Sequence, residues 1–153
     1  MNWLELKLPP LLLALVCAGA MPMLDPLLAD LWPPQGWPRL PALLLAVGEG
    51  VCCLLGVRHF RQAGTSVNPL APQAASALVC GGIYRYSRNP MYLGFVLALA
   101  GVALWLADPL ALGLVPLFAL YLQRFQILPE ERALTARFGD AYRHYRCRVR
   151  RWL

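Results

Sequence analysis

Four apolar runs divide this chain, and nearly all of its basic residues sit at the ends that would share one side of a bilayer. The runs are Leu8 to Leu24, Leu40 to Val57, Met91 to Ala107 and Leu110 to Leu128. Each is close to the lower limit of the roughly 17 to 25 apolar residues that a crossing helix needs. The chain has 153 residues, 59% hydrophobic and only 14% charged, where a soluble domain carries roughly 25% charged residues. A water-soluble core of this size cannot hide so much apolar surface, so the expected fold is an all-α integral membrane protein. It should have about four transmembrane helices and a C-terminal interfacial helical segment.

Charge placement sets the expected orientation. With both termini inside, thirteen of the fourteen Lys and Arg residues fall on the cytoplasmic side, and only Arg39 falls outside. This is the positive-inside pattern. The apolar N-terminus has Lys7 as its only basic residue and shows no clear small-x-small cleavage site, so it is read as a retained span. The net charge is +6, but eight arginines cluster from Arg124 to Arg151 beside apolar runs. They read as anchors to anionic lipid rather than as a nucleic-acid surface. The expected location is a prokaryotic inner membrane, with membrane lipids as partners and no nucleic acid.

The runs imply the remaining organisation. Asp25 to Pro38 is a loop rich in Pro and Asp, and its Trp32 and Trp37 suit an interface. Gln62 to Ala77 is a polar loop. Asp108-Pro109 makes a tight turn and forces the last two spans into an antiparallel hairpin. Pro129 is expected to open a new helix, Gly139 to close it and Asp140 to cap the next. The five cysteines form no C-x-x-C pair, and neither His59 nor His144 has a ligand cluster, so neither a disulfide framework nor a metal site is expected. One domain is expected over 1–153, with two spans and a loop in 1–77 and the chemistry-bearing half in 78–153.

Candidate chemistry concentrates on one membrane face. Asn89 is a good N-cap and Pro90 a good first helical residue. The free amides of that helix start favour an anion such as a carboxylate, and Tyr92 offers a π-face to a cation. Glu130 and Glu131 follow Pro129 at the other expected helix start, where acidic residues also complement the dipole. Arg124 lies seven residues before Glu131 and is placed on the same face. Glu49 is an ionisable residue within a span, which points to function by default. It shares a small-residue face with Ala42, Ala46, Cys53 and Gly56, suited to close helix packing. Gly48-Glu49-Gly50 has no preceding strand and is not a nucleotide loop.

The segment Arg88-Asn89-Pro90-Met91-Tyr92-Leu93-Gly94 resembles the R-[HN]-P-x-Y-x-G signature of the isoprenylcysteine carboxyl methyltransferase and phospholipid methyltransferase superfamily. Glu130-Glu131, followed by Phe138-Gly139-Asp140, Tyr142, Tyr145 and Val149, looks like that superfamily's carboxyl end. The resemblance covers about Leu78 to Leu153. It implies S-adenosylmethionine as cofactor, S-adenosylhomocysteine as product, and a lipid-like or apolar acceptor. Carried over by motif position, Arg88, Asn89, Pro90, Tyr92, Leu93, Gly94, Glu130 and Glu131 would line the cofactor site, with Tyr84 and Tyr142 beside them. Asn89 stands where isoprenylcysteine enzymes carry histidine. Methyl transfer would be an in-line displacement, with Glu49 or Glu131 as the base if the acceptor is an amine and Arg124 nearby. The rival readings are an NADPH-dependent reductase of the sterol-reductase type, which carries a similar H-P-x-Y-x-G element, and a non-catalytic membrane scaffold.

Overall fold

The structure is a computed structural model that describes residues 5–24, 39–65, 68 and 70–153. The expected Asp25–Pro38 loop, with Trp32 and Trp37, lies outside the described residues. Those described form an all-helical fold without strands. Helix α1 spans Pro10–Ala20 and runs into a short 3-10 turn at Met21–Met23. Helix α2 spans Arg39–Gln62, α3 Pro90–Leu106 and α4 Pro109–Leu122. A π-helical turn at Gln123–Ile127 leads into α5, Leu128–Arg148.

Helices α2 and α3 lie antiparallel and close, because small residues face each other along the whole contact. A Cβ on Gly94 would meet Cys53 Sγ at 2.9 Å and the Glu49 carbonyl at 3.3 Å. One on Gly101 would meet the Ala42 carbonyl at 3.2 Å, and one on Gly56 would meet Met91 Cγ at 2.6 Å. Missing side chains let backbones approach in this way where lipid offers no hydrophobic drive between helices. The Ala42, Ala46, Glu49, Cys53 and Gly56 face is therefore α2's packing face. Leu40, Leu44, Val47, Val51 and Leu54 remain exposed on the other side.

The α3–α4 hairpin turns at Asp108-Pro109, where the break between the apolar runs placed it. Ala107 takes a left-handed conformation (φ 55°), Asp108 Oδ1 accepts from the Leu110 amide at 2.8 Å, and Pro109 opens α4. Buried Met21, Leu99, Ala111, Phe118, Leu122 and Ile127 form a core among α1, α3 and α4.

Pro129 stands in the first turn of α5, as expected, but no break separates α5 from the helix before it. The chain stays helical from Pro109 to Phe138, and two features make that possible. A proline lacks the N–H that would bond the carbonyl four residues earlier, here that of Phe125. The Leu6 amide donates to this carbonyl instead, at 3.0 Å. The π-helical turn immediately before Pro129 is a common way for a helix to absorb an irregularity. The N-terminal segment fastens the same junction: Glu5 pairs with Arg124 at 3.0 Å and Arg132 at 2.6 Å, and Gln126 Nε2 donates to the Leu8 carbonyl at 2.6 Å. Gly139 does redirect α5 (φ 53°, ψ −124°), while Asp140 pairs with exposed Arg143.

Two helices are long and apolar enough to cross a membrane: Arg39–Gln62 and the helix from Pro109. The apolar part of the latter ends at Leu128, just before Glu130 and Glu131. Pro10–Met23 and Pro90–Leu106 are shorter apolar helices. At 1.5 Å per residue, 17 residues reach about 26 Å, short of a hydrocarbon core about 30 Å thick. Leucines and valines exposed along α1, α2 and α4 give the bundle an exterior suited to lipid.

Candidate active site

The chain between α2 and α3 is held in place by contacts that only particular residues permit. Gly82 has φ 58°, and a Cβ there would fall 1.7 Å from His59 Nε2, so the turn Gly82–Arg85 closes against the end of α2 only with glycine at that position. This seats Tyr84, whose ring meets Phe60 edge-on at 5.4 Å and whose carbonyl accepts from the Tyr145 hydroxyl at 2.7 Å. Tyr84, Tyr142 and Tyr145 form a second buried cluster that ties this turn to α5.

Asn89 occupies the N-cap position of α3, but its side chain does not cap it. Its Nδ2 donates to the Arg151 carbonyl at 3.0 Å instead. The expectation of a side-chain cap is thus corrected: a closer acceptor, brought back by the chain after α5, takes the amide. The Ser87 hydroxyl takes up the Asn89 amide at 3.1 Å, and the Arg88 amide donates to the Arg150 carbonyl at 3.0 Å.

Behind this turn lies a cleft of about 790 Å³, a figure that includes solvent at its mouth. Tyr84, Arg88, Asn89, Pro90 and Tyr92 line one side, and Glu130, Glu131 and Tyr142 the other. The two acidic residues differ sharply in surroundings. Glu131 is buried between two guanidinium groups: Arg151 donates Nε to Oε1 at 3.0 Å and Nη2 to Oε2 at 2.9 Å, and Arg88 Nη2 stands 3.1 Å from Oε1. Glu130 faces the cleft and accepts from the Tyr92 hydroxyl at 3.0 Å. Since the helix continues through Pro129, neither carboxylate sits at a free helix start, and the expected dipole role lapses.

Enclosure shifts the titration of these groups. The Glu130 carboxyl is pushed up to about 7: burial is the main cause, the Tyr92 hydrogen bond opposes it, and the Glu131 charge adds to it. The Tyr142 hydroxyl is pushed up to about 12 by burial and then by Glu131, with Arg88 opposing. Burial also raises Tyr84, with Glu130 adding. Paired with Glu131, the Arg151 guanidinium is held above its ordinary range.

At the cleft, Arg88 has unmet bonding capacity. Its side chain is 9% exposed, and its Nε and Nη1 have no hydrogen-bond partner, nor has the Tyr84 hydroxyl. Buried donors are nearly always satisfied, so these groups stand open to a partner in the cleft.

The other sequence candidates lie apart from the cleft. Leu93 is half-buried one turn into α3, and Gly94 presses on α2 beside Glu49 and Cys53. Arg124 sits on the π-helical turn with Glu5. Sequence reasoning missed Arg151, hidden in a run of arginines that read as lipid anchors. It also gave Tyr145 no site role, although its spacing of three from Tyr142 would put both on one helix face. Among the described residues no group of three His, Cys, Asp or Glu is placed to hold a metal ion.

Comparison with known proteins agrees with the motifs. An uncharacterized protein of Haemophilus influenzae is 48% identical over 63 residues, 41% of this chain and all of that protein. The protein-S-isoprenylcysteine O-methyltransferase of Schizosaccharomyces pombe is 39% identical over 75 residues, 47% of this chain. The match spans 30% of that enzyme's length. No solved structure matches. The phospholipid methyltransferase family matches residues 38–141, more than half of the chain. That stretch includes α2, the α3–α4 hairpin and the cleft residues Arg88, Glu130 and Glu131, and the chain belongs to the phospholipid methyltransferase family.

Proposed function

We propose that the cleft binds S-adenosylmethionine at the cytoplasmic face of a membrane and that the protein transfers its methyl group to a lipid-like acceptor. The family, and the partial likeness to an isoprenylcysteine O-methyltransferase, indicate methyl transfer on a lipid-like substrate. The observation that carries the cofactor is Arg88, a buried guanidinium with two unpartnered nitrogens at the cleft. A carboxylate is its natural partner, by charge and by fork geometry, and the uncapped amides of α3 favour the same charge. A sulfonium needs an anion or an aromatic face, which Glu130 and Tyr92 offer. Leu78, Val79 and Leu134 supply apolar wall for a nucleoside. The residues present therefore fit the cofactor.

Bound S-adenosylmethionine supplies an electrophilic methyl group. The chain's part is to orient the acceptor and exclude water. With both Glu131 oxygens held by arginines, Glu130 is the better base for an amine acceptor, because a carboxyl near pKa 7 both accepts and releases a proton at neutral pH.

The reading includes four crossings with both ends cytoplasmic, the bilayer thinning locally around α1 and α3. Calorimetric titration of the detergent-purified protein with S-adenosylhomocysteine and with NADPH tests the cofactor. We expect binding of the first and not of the second. NADPH binding without S-adenosylhomocysteine binding would favour a reductase, and binding of neither would favour a scaffold.

A further inference from the structure

This inference rests on the cofactor reading and concerns what gives the Arg88 end of the cleft its charge. Glu131 has two oxygens, and Arg151 takes both through a two-pronged contact at 3.0 and 2.9 Å. Arg88 is left with one Nη2 contact to Glu131, at 3.1 Å. A buried arginine and glutamate alone would satisfy each other in a neutral, fork-to-fork pair. The third charge changes that outcome. Two guanidinium groups and one carboxylate carry a net charge of +1, and Arg88 keeps Nε and Nη1 unpartnered.

Arg151 is held where it can do this. The Arg151 carbonyl accepts from Asn89 Nδ2 at 3.0 Å and the Ser87 hydroxyl at 3.5 Å, and the Arg150 carbonyl accepts from the Arg88 amide at 3.0 Å. Trp152 Nε1 donates to Gln123 Oε1 at 3.4 Å. The segment Arg150–Trp152 is thus stitched to the same turn that carries Arg88. It lies beyond residues 38–141, the part that matches the family.

We propose that Arg151 is a positioning residue that makes the Arg88 end of the cleft a carboxylate site: it occupies Glu131 and so frees Arg88 for the ligand. Arg151 need not touch the ligand. Without it, Glu131 draws Arg88 into a closed pair, and the excess positive charge is lost.

Two ligands that differ in the relevant group separate this role from a structural one. S-adenosylhomocysteine carries the amino-acid carboxylate, and 5′-methylthioadenosine lacks the whole amino-acid end. Dissociation constants for both should be measured by calorimetry on the wild type, Arg151→Gln and Arg151→Lys. Arg151→Gln should weaken S-adenosylhomocysteine by about tenfold or more, the usual scale for losing a close charge partner. It should leave 5′-methylthioadenosine within about twofold, as for independent sites. Lysine keeps the charge but not the fork, so its ratio of the two affinities should fall between wild type and Gln. If Arg151→Gln does not fold, the Lys ratio decides alone: below wild type supports the role, and unchanged overturns it. Equal weakening of both ligands, or of neither, also overturns it. A wild type that binds neither ligand fails the cofactor reading itself.

Discussion

The Tyr92 hydroxyl donates to Glu130 Oε2 at 3.0 Å and so joins the first turn of α3 to α5 across the cleft. The neighbouring Glu131 is turned away into its two arginines, as consecutive helical residues point about 100° apart. Two adjacent carboxylates therefore have separate surroundings, and they should respond differently to pH and to substitution.

Glu130 is the pH-sensitive one. Its pKa is raised to about 7 in the fold, so the folded protein disfavours its ionised form. The stability this brings is fully present below the ordinary carboxylate range and is lost as pH rises through about 7. The loss is no more than about 3.5 kcal/mol, at about 1.4 kcal/mol per pKa unit. Glu130→Gln should match the wild type in melting temperature at pH 4 and exceed it at pH 8. Tyr92→Phe removes the hydrogen bond that opposes the shift, so it should steepen the wild-type decline. Thermal unfolding in a neutral detergent across that range checks both. Parallel curves for wild type and Glu130→Gln would show that Glu130 titrates normally.

Glu131 should behave as a structural centre. At an exposed helix start its removal would cost only about 0.3–1 kcal/mol. Its burial between Arg88 and Arg151 reverses that expectation. Glu131→Ala leaves two guanidinium groups without their shared partner, and breaking a buried ion pair from one side costs about 3–5 kcal/mol. Glu130→Ala, which among the described residues loses a single hydrogen bond from the Tyr92 hydroxyl, should cost much less. Chemical denaturation of the two variants side by side tests the ranking.

What the sequence disclosed was mostly local. Four residues of the Arg88 to Gly94 signature, Arg88, Asn89, Pro90 and Tyr92, line the cleft, because they lie within one turn and one helix start. The Asp108-Pro109 hairpin was readable for the same reason. What stayed hidden depends on distant partners. Nothing in a run of eight arginines tells which one folds back, and Arg151 is chosen by Glu131, twenty residues earlier, and by Asn89, sixty-two residues earlier. Pro129 looked like a break because its effect on Phe125 is local, while the repair comes from Leu6 at the other end of the chain. Gly94 belongs to the signature, yet here it packs α3 on α2 beside Glu49.

That packing role gives Gly94 a mechanical test. An added Cβ would meet Cys53 Sγ at 2.9 Å, closer than such contacts tolerate, and the Glu49 carbonyl at 3.3 Å. Gly94→Ala should therefore destabilise the protein by about 1–3 kcal/mol, the usual cost of overpacking. Cys53→Ala removes the nearest atom and leaves the backbone contact. The double variant should recover part of the loss, measured as a coupling energy in a double-mutant cycle. Purely additive effects would mean that α2 and α3 are not pressed together at this point.

Asn89 offers the sharpest contrast between a helix cap and a clasp. If its side chain capped α3, Asn89→Asp would be neutral or mildly stabilising, since Asp caps about as well and suits the dipole. Here the side chain donates Nδ2 to the Arg151 carbonyl at 3.0 Å. A carboxylate has no proton to donate, so Asp would set two oxygens against each other in a buried position. The Arg151 carbonyl would lose a partner, at a cost of about 1–3 kcal/mol for a buried group left unsatisfied. Asn89→Ser is too short to reach that carbonyl but adds no charge, so it should fall between Asn and Asp in stability. Loosening the segment that carries Arg151 should also weaken S-adenosylhomocysteine in both variants, and more in Asp, whose charge repels the ligand's carboxylate. Melting temperature and S-adenosylhomocysteine affinity, measured on the same preparations, should therefore fall together in the order Asn, Ser, Asp. An Asp variant as stable as the wild type would return Asn89 to a capping role and detach the Arg151 segment from the start of α3.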